Sequence, residues 1–346
     1  MKYTRVCIAS FGYVLPPNVV TSDDLEQRLA PLYAALKIQN GQLEAITGIR
    51  ERRYWDPGFQ LHRGAAQAGR RAIAAAALSA ERIGMLVYGA VCRENLEPAS
   101  ACAVAEALGL PSECLIYDVS NACLGVLNGM VNVANAIELG QIRAGLVVAC
   151  ESAREIVDLT IARLNREKNM EVLRKTVATL TGGSGAVAVL LTAAELAPDG
   201  HRLLGGVARS APEHHRLCVW GPDTGIPGGS AHMAETDSVR VLQNGVALGL
   251  DTFRDFRRAL ALSEGQPDKI ICHQVGATHQ RSILDAIGIP PERDFTTFRH
   301  LGNIGTVSLP ITAAIAAEHG FLMPGDLAGF LGIGSGLNCL MLGIEW

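Results

Sequence analysis

The two halves of the chain carry the same motifs in the same order, and this internal repeat limits the possible folds more than any other feature. The first copy comprises residues 81–86, 107–111 and 144–152, and the second comprises residues 268–271, 286–290 and 327–336. Three matching units in one order indicate a duplication divided near residues 190–205. The repeat period is far too long for a solenoid, so the repeat favours two similar halves packed face to face.

Short apolar runs alternate with alanine-rich segments along both halves. We predict strands at residues 1–12, 84–90, 115–119, 144–149, 186–191, 269–272 and 327–331, and helices at residues 63–78, 99–108, 124–139, 280–287 and 311–319. Continuous apolar strands between helices are typical of a sheet covered on both faces, which predicts an α/β fold.

Two domains are predicted, at residues 1–195 and 196–346. A polar stretch at about 154–178 interrupts the first domain and is interpreted as a helical insertion, either a solvated surface helix or a cap over the substrate. Residues 212–238, which are rich in glycine and proline, are predicted to form a long irregular loop.

Composition excludes several classes of protein. With 49% hydrophobic and 18% charged residues the chain is not disordered, and its net charge of −4 argues against a nucleic-acid partner. The apolar runs are shorter than the roughly 20 residues that a membrane span needs. Nine cysteines without a CxxC pair or zinc spacing predict free thiols, no metal site and a reducing, cytoplasmic location.

Cys123 is the candidate nucleophile. It follows the run Asp118-Val119-Ser120-Asn121-Ala122, where a predicted strand turns into a predicted helix. A thiol at a helix N-terminus lies in the positive field of the helix dipole, which favours the thiolate. The alternative is a buried and inert thiol.

His273 and Asn303 are the candidate partners of the nucleophile. His273 ends an apolar strand, at the edge of the sheet where α/β sites collect. Asn303 occupies the place in the second half that Cys123 occupies in the first, so the repeat predicts a Cys–His–Asn constellation at one cleft. The glycine-rich turn at 332–338 comes too close to the C-terminus for dinucleotide binding and is predicted to supply backbone N–H groups as an oxyanion hole.

With these motifs the chain resembles the thiolase superfamily, in its ketoacyl synthase III-like branch. The resemblance rests on the Thr-Gly-Ile-Arg motif at 47–50, the Cys123 turn, the His-Gln and Gly-Asn pairs at 273 and 302, and the C-terminal glycine turn. It implies a duplicated five-layer αβαβα fold and a homodimer. It also implies that a thioester acylates Cys123, that His273 and Asn303 hold the carbonyl of a second thioester, and that the N–H groups of Cys123 and Ser335 form an oxyanion hole.

The chain departs from the fatty-acid-initiating members of that branch. Gln42 and Ile46 stand where those enzymes carry Trp and Arg for coenzyme A, and residues 275–278 replace their Ala-Asn-x-Arg run. Ile333 and Leu337 replace the phenylalanines that flank their last glycine turn. With these departures, and with the motifs at 273–275, 302–305 and 331–339, the chain resembles the OleA-type enzymes. Those enzymes condense two long-chain acyl-CoA molecules head to head without decarboxylation.

The similarity to OleA-type enzymes implies a catalytic role for Glu97. It lies 26 residues before Cys123, where OleA-type enzymes carry a glutamate that reaches the site of the partner subunit and acts as the base. Condensation without loss of CO₂ requires removal of an α-proton, and therefore a positioned base. The alternative for Glu97 is a surface carboxylate before Pro98.

The predicted function is therefore that of an acyltransferase that joins two acyl-CoAs into a 2-alkyl-3-keto acid, with coenzyme A thioesters as substrates and no cofactor. The alternatives are a 3-oxoacyl-ACP synthase III that uses malonyl-ACP in fatty acid or secondary-metabolite synthesis, a non-condensing acyltransferase, and a non-catalytic subunit. Arg50 and Arg52 are candidates for binding the coenzyme A phosphates, or else belong to a surface charge cluster.

Overall fold

A computed structural model of the chain describes residues 1–222 and 232–346. The strands are β1 (Val6–Val14), β2 (Asn18–Thr21), β3 (Glu51–Tyr54), β4 (Met85–Tyr88), β5 (Leu115–Asp118), β6 (Ala144–Glu151), β7 (Gly185–Ala193), β8 (His201–Ser210), β9 (Cys218–Pro222), β10 (His232–Thr236), β11 (Lys269–Cys272), β12 (Leu327–Gly334) and β13 (Asn338–Glu345).

Twelve α-helices occur among these described residues. They are α1 (Ser22–Arg28), α2 (Ala30–Leu36), α3 (Gln42–Thr47), α4 (Leu61–Ala75), α5 (Ser100–Leu108), α6 (Gly125–Glu138), α7 (Arg154–Glu167), α8 (Met170–Thr176), α9 (Ser238–Ala259), α10 (Ala277–Ile287), α11 (Phe298–Leu301) and α12 (Ser308–Glu318). None of them is both long and apolar enough to cross a membrane.

Nine strands form one mixed sheet in the order β11-β12-β13-β8-β1-β7-β6-β4-β5. From the centre outward, β1-β7-β6-β4 in the first half has the same order and directions as β8-β13-β12-β11 in the second. The short pairing of Cys7 with Arg202 and of Ile8 with His201 joins the two half-sheets. The predicted division between domains falls between β7 and β8, and the division itself stays a prediction.

The helices form three layers around these half-sheets, which confirms the predicted α/β fold of the thiolase type. Helices α4 and α5 cover the first half-sheet, while α9 and α10 cover the second. Helices α6 and α12 lie between the half-sheets. Helix α12 is apolar on nearly every side, which is the pattern expected of a helix that is covered all round.

The region before the second half differs from the sequence-based expectation. The irregular loop predicted at 212–238 is wrong in part, because β9 and β10 pair as an antiparallel hairpin. The middle of that predicted loop, residues 223–231, lies outside the described residues. The 22-residue helix α9 follows at once and was not predicted. Its buried residues recur along one face at the helical spacing, a periodic signal that sequence reasoning missed.

Residues 154–178 contain the helices α7 and α8, in agreement with the helical interpretation. Helix α7 buries Val157, Ile161 and Leu164 in a small separate core shared with α1 and α2. Ile156 at its start lines the main cavity, as do Ala178 and Thr179 just after α8. The insertion therefore packs against the body of the protein and forms part of the wall of the cavity.

Candidate active site

A cavity of about 680 Å³ is lined by residues from both halves of the chain. Its lining includes Cys123, His273, Asn303 and Ser335, which come from four separate segments of the chain. Cys123 precedes α6, His273 follows β11, Asn303 follows α11 and Ser335 follows β12. The fold thus brings together the residues that the repeat placed in equivalent turns.

A strained turn presents Cys123 to the cavity. Ala122 has a φ of 46°, in the left-handed region that costs an alanine about 1 kcal/mol. The turn is closed by the N–H of Leu124, which donates to the carbonyl of Asn121 at 2.9 Å. A Cβ atom on Gly125 would lie 2.4 Å from the carbonyl oxygen of Gly89, so only glycine lets α6 begin this close to β4. Such strain is typical of a functional position.

The Cys123 thiol is protonated at rest. Burial, with smaller contributions from the neighbouring Cys218 and Glu151, raises its pKa to about 12. The expected stabilisation of a resting thiolate by the helix N-terminus is therefore wrong, because desolvation and a neighbouring carboxylate outweigh the dipole. The thiol needs a group that accepts its proton as it reacts.

His273 has the protonation state that this role requires. Its backbone N–H donates to the carbonyl of Leu331 at 3.0 Å, which fixes the residue beyond the end of β11. Burial, with a smaller effect of His279, lowers the pKa of His273 to about 4. The imidazole is therefore neutral at physiological pH and has a ring nitrogen free to accept a proton.

These two pKa values predict how the acylation of Cys123 depends on pH. His273 loses its proton-accepting form only as the pH falls through about 4, and the thiol ionises only near 12. The single-turnover rate of acylation should therefore stay within about twofold between about pH 5.5 and 9. Intact-mass spectrometry after rapid quenching measures this rate. A tenfold rise through the ordinary cysteine pKa of about 8.5 would show instead that a resting thiolate reacts.

Asn303 is held by its own loop in one orientation. Its side-chain Oδ1 accepts the N–H of Gly305 at 3.1 Å, and its backbone N–H donates to Thr181 at 2.9 Å. The amide Nδ2 is thereby left as a donor. Gln274, next to His273, accepts the N–H groups of Thr297 and Phe298 at the start of α11. It links the histidine to the asparagine, and the sequence showed it only as the neighbour of His273.

The C-terminal glycine turn lies against the Cys123 turn. A Cβ atom on Gly334 would come within 3.3 Å of the Cys123 backbone nitrogen. The Asn338 side chain donates to Asn121 at 3.0 Å, and Asn121 donates to Asn128 at 2.8 Å. Sequence reasoning assigned no role to these three asparagines. The oxyanion hole made by the N–H groups of Cys123 and Ser335 stays a prediction that this arrangement favours.

Arg52 is not available to coenzyme A, so its predicted contact with the phosphates is wrong. It is fully buried and donates to the Ser22 hydroxyl at 3.1 Å and to the carbonyl of Leu180 at 3.3 Å. The alternation of β3 turns Arg52 and Tyr54 inward. Arg50 lies just before the strand and is exposed, so its contact with the phosphates stays a prediction.

Glu97 does not line the cavity of its own chain, as far as the described residues show. It is exposed in the loop between β4 and α5, next to Leu96, whose exposed fraction is 75%. The carboxylate that does line the cavity is Glu151, at the end of β6, which sequence reasoning missed. Among the described residues, no group of three or more potential ligands could hold a metal ion.

The duplicated α/β fold, with a buried thiol, a neutral histidine and an oriented asparagine in one apolar cavity, defines a thiolase-class acyltransferase. Comparison with known proteins narrows this class. Residues 117–211 match the family described as 3-oxoacyl-[acyl-carrier-protein] synthase III, and residues 258–346 match its C-terminal part.

Two relatives over the whole chain are named acyl-CoA:acyl-CoA alkyltransferase. The one from Shewanella oneidensis is 52% identical, the one from Xanthomonas campestris is 36% identical, and both matches cover 100% of each chain. A crystal structure of Xanthomonas campestris OleA superimposes with a TM-score of 0.94 at 36% identity, covering 100% of this chain and 98% of that one. The chain belongs to this OleA family of acyl-CoA:acyl-CoA alkyltransferases. A beta-ketoacyl-[acyl-carrier-protein] synthase III from Erythrobacter litoralis is a more distant relative, at 26% identity.

Proposed function

We propose that the protein condenses two long-chain acyl-CoA molecules head to head and releases a 2-alkyl-3-keto acid. The observation that carries this proposal is that the Cys123 thiol and a neutral His273 line the same apolar cavity. The chemistry also agrees with the names of the two full-length relatives, and with a Xanthomonas OleA structure described as containing bound lauric acid and lauroyl-CoA.

The first half-reaction transfers an acyl group to Cys123. The sulfur attacks the thioester carbonyl while His273 takes the thiol proton, and the backbone N–H groups of Cys123 and Ser335 stabilise the oxyanion. The carbon–sulfur bond to coenzyme A then breaks. Its thiolate receives the proton from His273 and leaves as free coenzyme A, so the histidine is neutral again for the second half-reaction.

The second half-reaction forms the carbon–carbon bond. The carbonyl of the second acyl-CoA lies at His273 and at the amide of Asn303, and Glu97 of the partner subunit removes its α-proton. The enolate carbon attacks the acyl-cysteine, and the Cys123 sulfur leaves as a thiolate that takes up a proton. Glu97 releases the proton that it removed, so both groups return to their starting states. The product is a 2-alkyl-3-ketoacyl-CoA, and hydrolysis of its thioester gives the keto acid.

The cavity offers room for long alkyl chains beside α9. Gly245 and Gly249 are buried in the interior of that helix and line the cavity with Ile283 and Ile333. A Cβ atom on Gly249 would lie 2.8 Å from the Ile283 Cδ1 atom. A glycine inside a helix costs about 1 kcal/mol relative to alanine, so two of them in one wall favour a role in leaving space.

A homodimer is part of this proposal, because Glu97 does not line the cavity of its own chain. Strand β5 lies at the edge of the sheet, and Leu115 at its start is 54% exposed. An open edge beside the projecting loop of Glu97 suits the pairing of two copies across a twofold axis. In Xanthomonas OleA the cysteine and glutamate replaced in the crystallised variants are also 26 positions apart.

Incubation with myristoyl-CoA as the only substrate tests the function directly. We expect release of coenzyme A and a condensed product, detected after spontaneous decarboxylation as a symmetric long-chain ketone by mass spectrometry. Malonyl-ACP added in a parallel reaction gives the contrast. A product that forms only with malonyl-ACP would assign the chain to the decarboxylating 3-oxoacyl-ACP synthases III instead.

A further inference from the structure

Glu151 is a buried carboxylate that the proposed mechanism does not use. It ends β6, lines the cavity of Cys123, and is only 4% exposed. Its Oε1 atom accepts the N–H of Val91 at 2.9 Å, and its Oε2 atom accepts the N–H of Cys92 at 3.0 Å. Both oxygens are thus committed to the backbone where the loop of Glu97 begins.

Other hydrogen bonds complete the base of this loop. The Cys92 carbonyl accepts the Tyr88 hydroxyl at 3.0 Å, and the Cys92 thiol donates to the Ser152 carbonyl at 3.3 Å. Further along, the Glu94 carboxylate pairs with the ring of His62 at 2.8 Å. Residues 95–98 come next, and the described chain offers their backbone and side chains no hydrogen bond. The path of Glu97 is therefore set by the fixed residues on both sides of it, since the N–H groups of Ser100 and Ala101 after the loop donate to the Asp118 carboxylate at 2.9 Å.

Replacing Glu151 with glutamine would disturb the hydrogen bonds at the base of the loop. Burial raises the pKa of Glu151, and hydrogen bonds from Cys92 and from the backbone of Val91 and Thr306 partly offset this rise. The carboxylate and the base of the loop therefore stabilise each other. A glutamine at this position can accept one of these N–H groups but turns its own NH₂ toward the other. One buried donor then lacks an acceptor, and the loop moves to relieve it.

We infer that Glu151 is a positioning residue, which holds the base of the 91–99 loop so that Glu97 at its tip reaches the active site of the partner subunit. The inference rests on the proposed function, in which Glu97 acts across the dimer. Glu151 then lines the cavity of its own chain but supports catalysis in the cavity of the partner subunit. Its effect on catalysis should follow the chain that carries the loop, not the chain that carries the reacting cysteine.

The first experiment compares the two half-reactions of the Glu151→Gln homodimer. Acylation of Cys123 by myristoyl-CoA, followed by intact-mass spectrometry, should stay within about threefold of the unmodified protein, and condensation should fall about 10-fold or more. An equal fall in both half-reactions would overturn the inference, because it would indicate damage to the cavity that Glu151 lines.

The decisive experiment uses mixed dimers, co-expressed with two different tags and purified through both. The first mixed dimer pairs a Glu151→Gln chain with a Cys123→Ala chain. Its only Cys123 lies in the Glu151→Gln chain, and the loop that reaches this site comes from the other chain, which keeps Glu151. Condensation should therefore equal that of an unmodified chain paired with Cys123→Ala. Moving both substitutions onto one chain, opposite an unmodified chain, should lower it about 10-fold. The reverse pattern would overturn the inference.

A third mixed dimer separates failure of the inference from failure of the proposed function. A Glu97→Ala chain paired with a Cys123→Ala chain retains one complete site if the glutamate acts across the dimer. Condensation by this mixed dimer, joined with the expected Glu151 pattern, supports both. If this mixed dimer forms no condensed product, the action of Glu97 across the dimer is overturned. If it forms the product but the Glu151 dimers show the reverse pattern, only the role of Glu151 is overturned.

Discussion

Replacing Cys123 with alanine should abolish both half-reactions. The first acyl group then has no nucleophile to accept it, and the second has no acyl-enzyme to attack, so product formation should fall by about 10³-fold or more. The cavity keeps its shape, because alanine is smaller than cysteine and the Asn121–Asn338 hydrogen bond remains. Intact-mass spectrometry after incubation with myristoyl-CoA should show no covalent adduct on this variant.

Cys218 offers a matched control for this experiment. It lines the same cavity, and its charge contributes to the raised pKa of Cys123. Its hydrogen-bonding partner is the Thr236 hydroxyl of the β9–β10 hairpin, away from the turn that begins α6. The Cys218→Ala variant should still form the acyl-enzyme. An adduct that survives in Cys123→Ala and disappears in Cys218→Ala would contradict the proposal, because it would show that Cys218 is the nucleophile.

Replacing Glu97 with alanine should leave acylation of Cys123 intact and block condensation. Acylation of Cys123 needs only His273 and the backbone donors, so the acyl-enzyme should form and one coenzyme A should be released for each site. The α-proton of the second acyl-CoA then has no base, and condensation should fall by about 10²- to 10⁴-fold. The acyl-enzyme should accumulate, which intact-mass spectrometry detects directly.

Glu94 provides a control within the same loop. Its carboxylate pairs with His62 and is not the group proposed to act on substrate. The Glu94→Ala variant loses one partly exposed hydrogen-bonding contact of the loop with His62, worth about 1 kcal/mol at most. Condensation should therefore fall by about fivefold at most, far less than in Glu97→Ala. Condensation that persists in Glu97→Ala and fails in Glu94→Ala would place the base elsewhere on the loop. Persistence in both would require a base inside the cavity.

The sequence by itself determined the fold class and placed Cys123, His273 and Asn303 in one cavity. The order of short apolar runs and alanine-rich helices sets the sheet and its covering layers, since hydrophobic periodicity depends only on which residues face the core. The repeat placed Cys123 and Asn303 in equivalent turns, and the fold brings both turns to one cavity. Glu97 was found through the resemblance to OleA-type enzymes, which carry a glutamate at the same distance before the cysteine, and its role stays a prediction.

Only the tertiary structure decided the charges and the burial at these positions. Arg52 looked like a phosphate ligand beside Arg50, but β3 turns its side chain into the interior. The helix N-terminus suggested a thiolate at Cys123, whereas burial raises the pKa of this thiol to about 12. Glu151 itself carried no signal in the sequence, because its partners are backbone N–H groups about 60 positions away. Solvation and long-range hydrogen bonds depend on which segments meet in space, and a local sequence pattern does not contain that information.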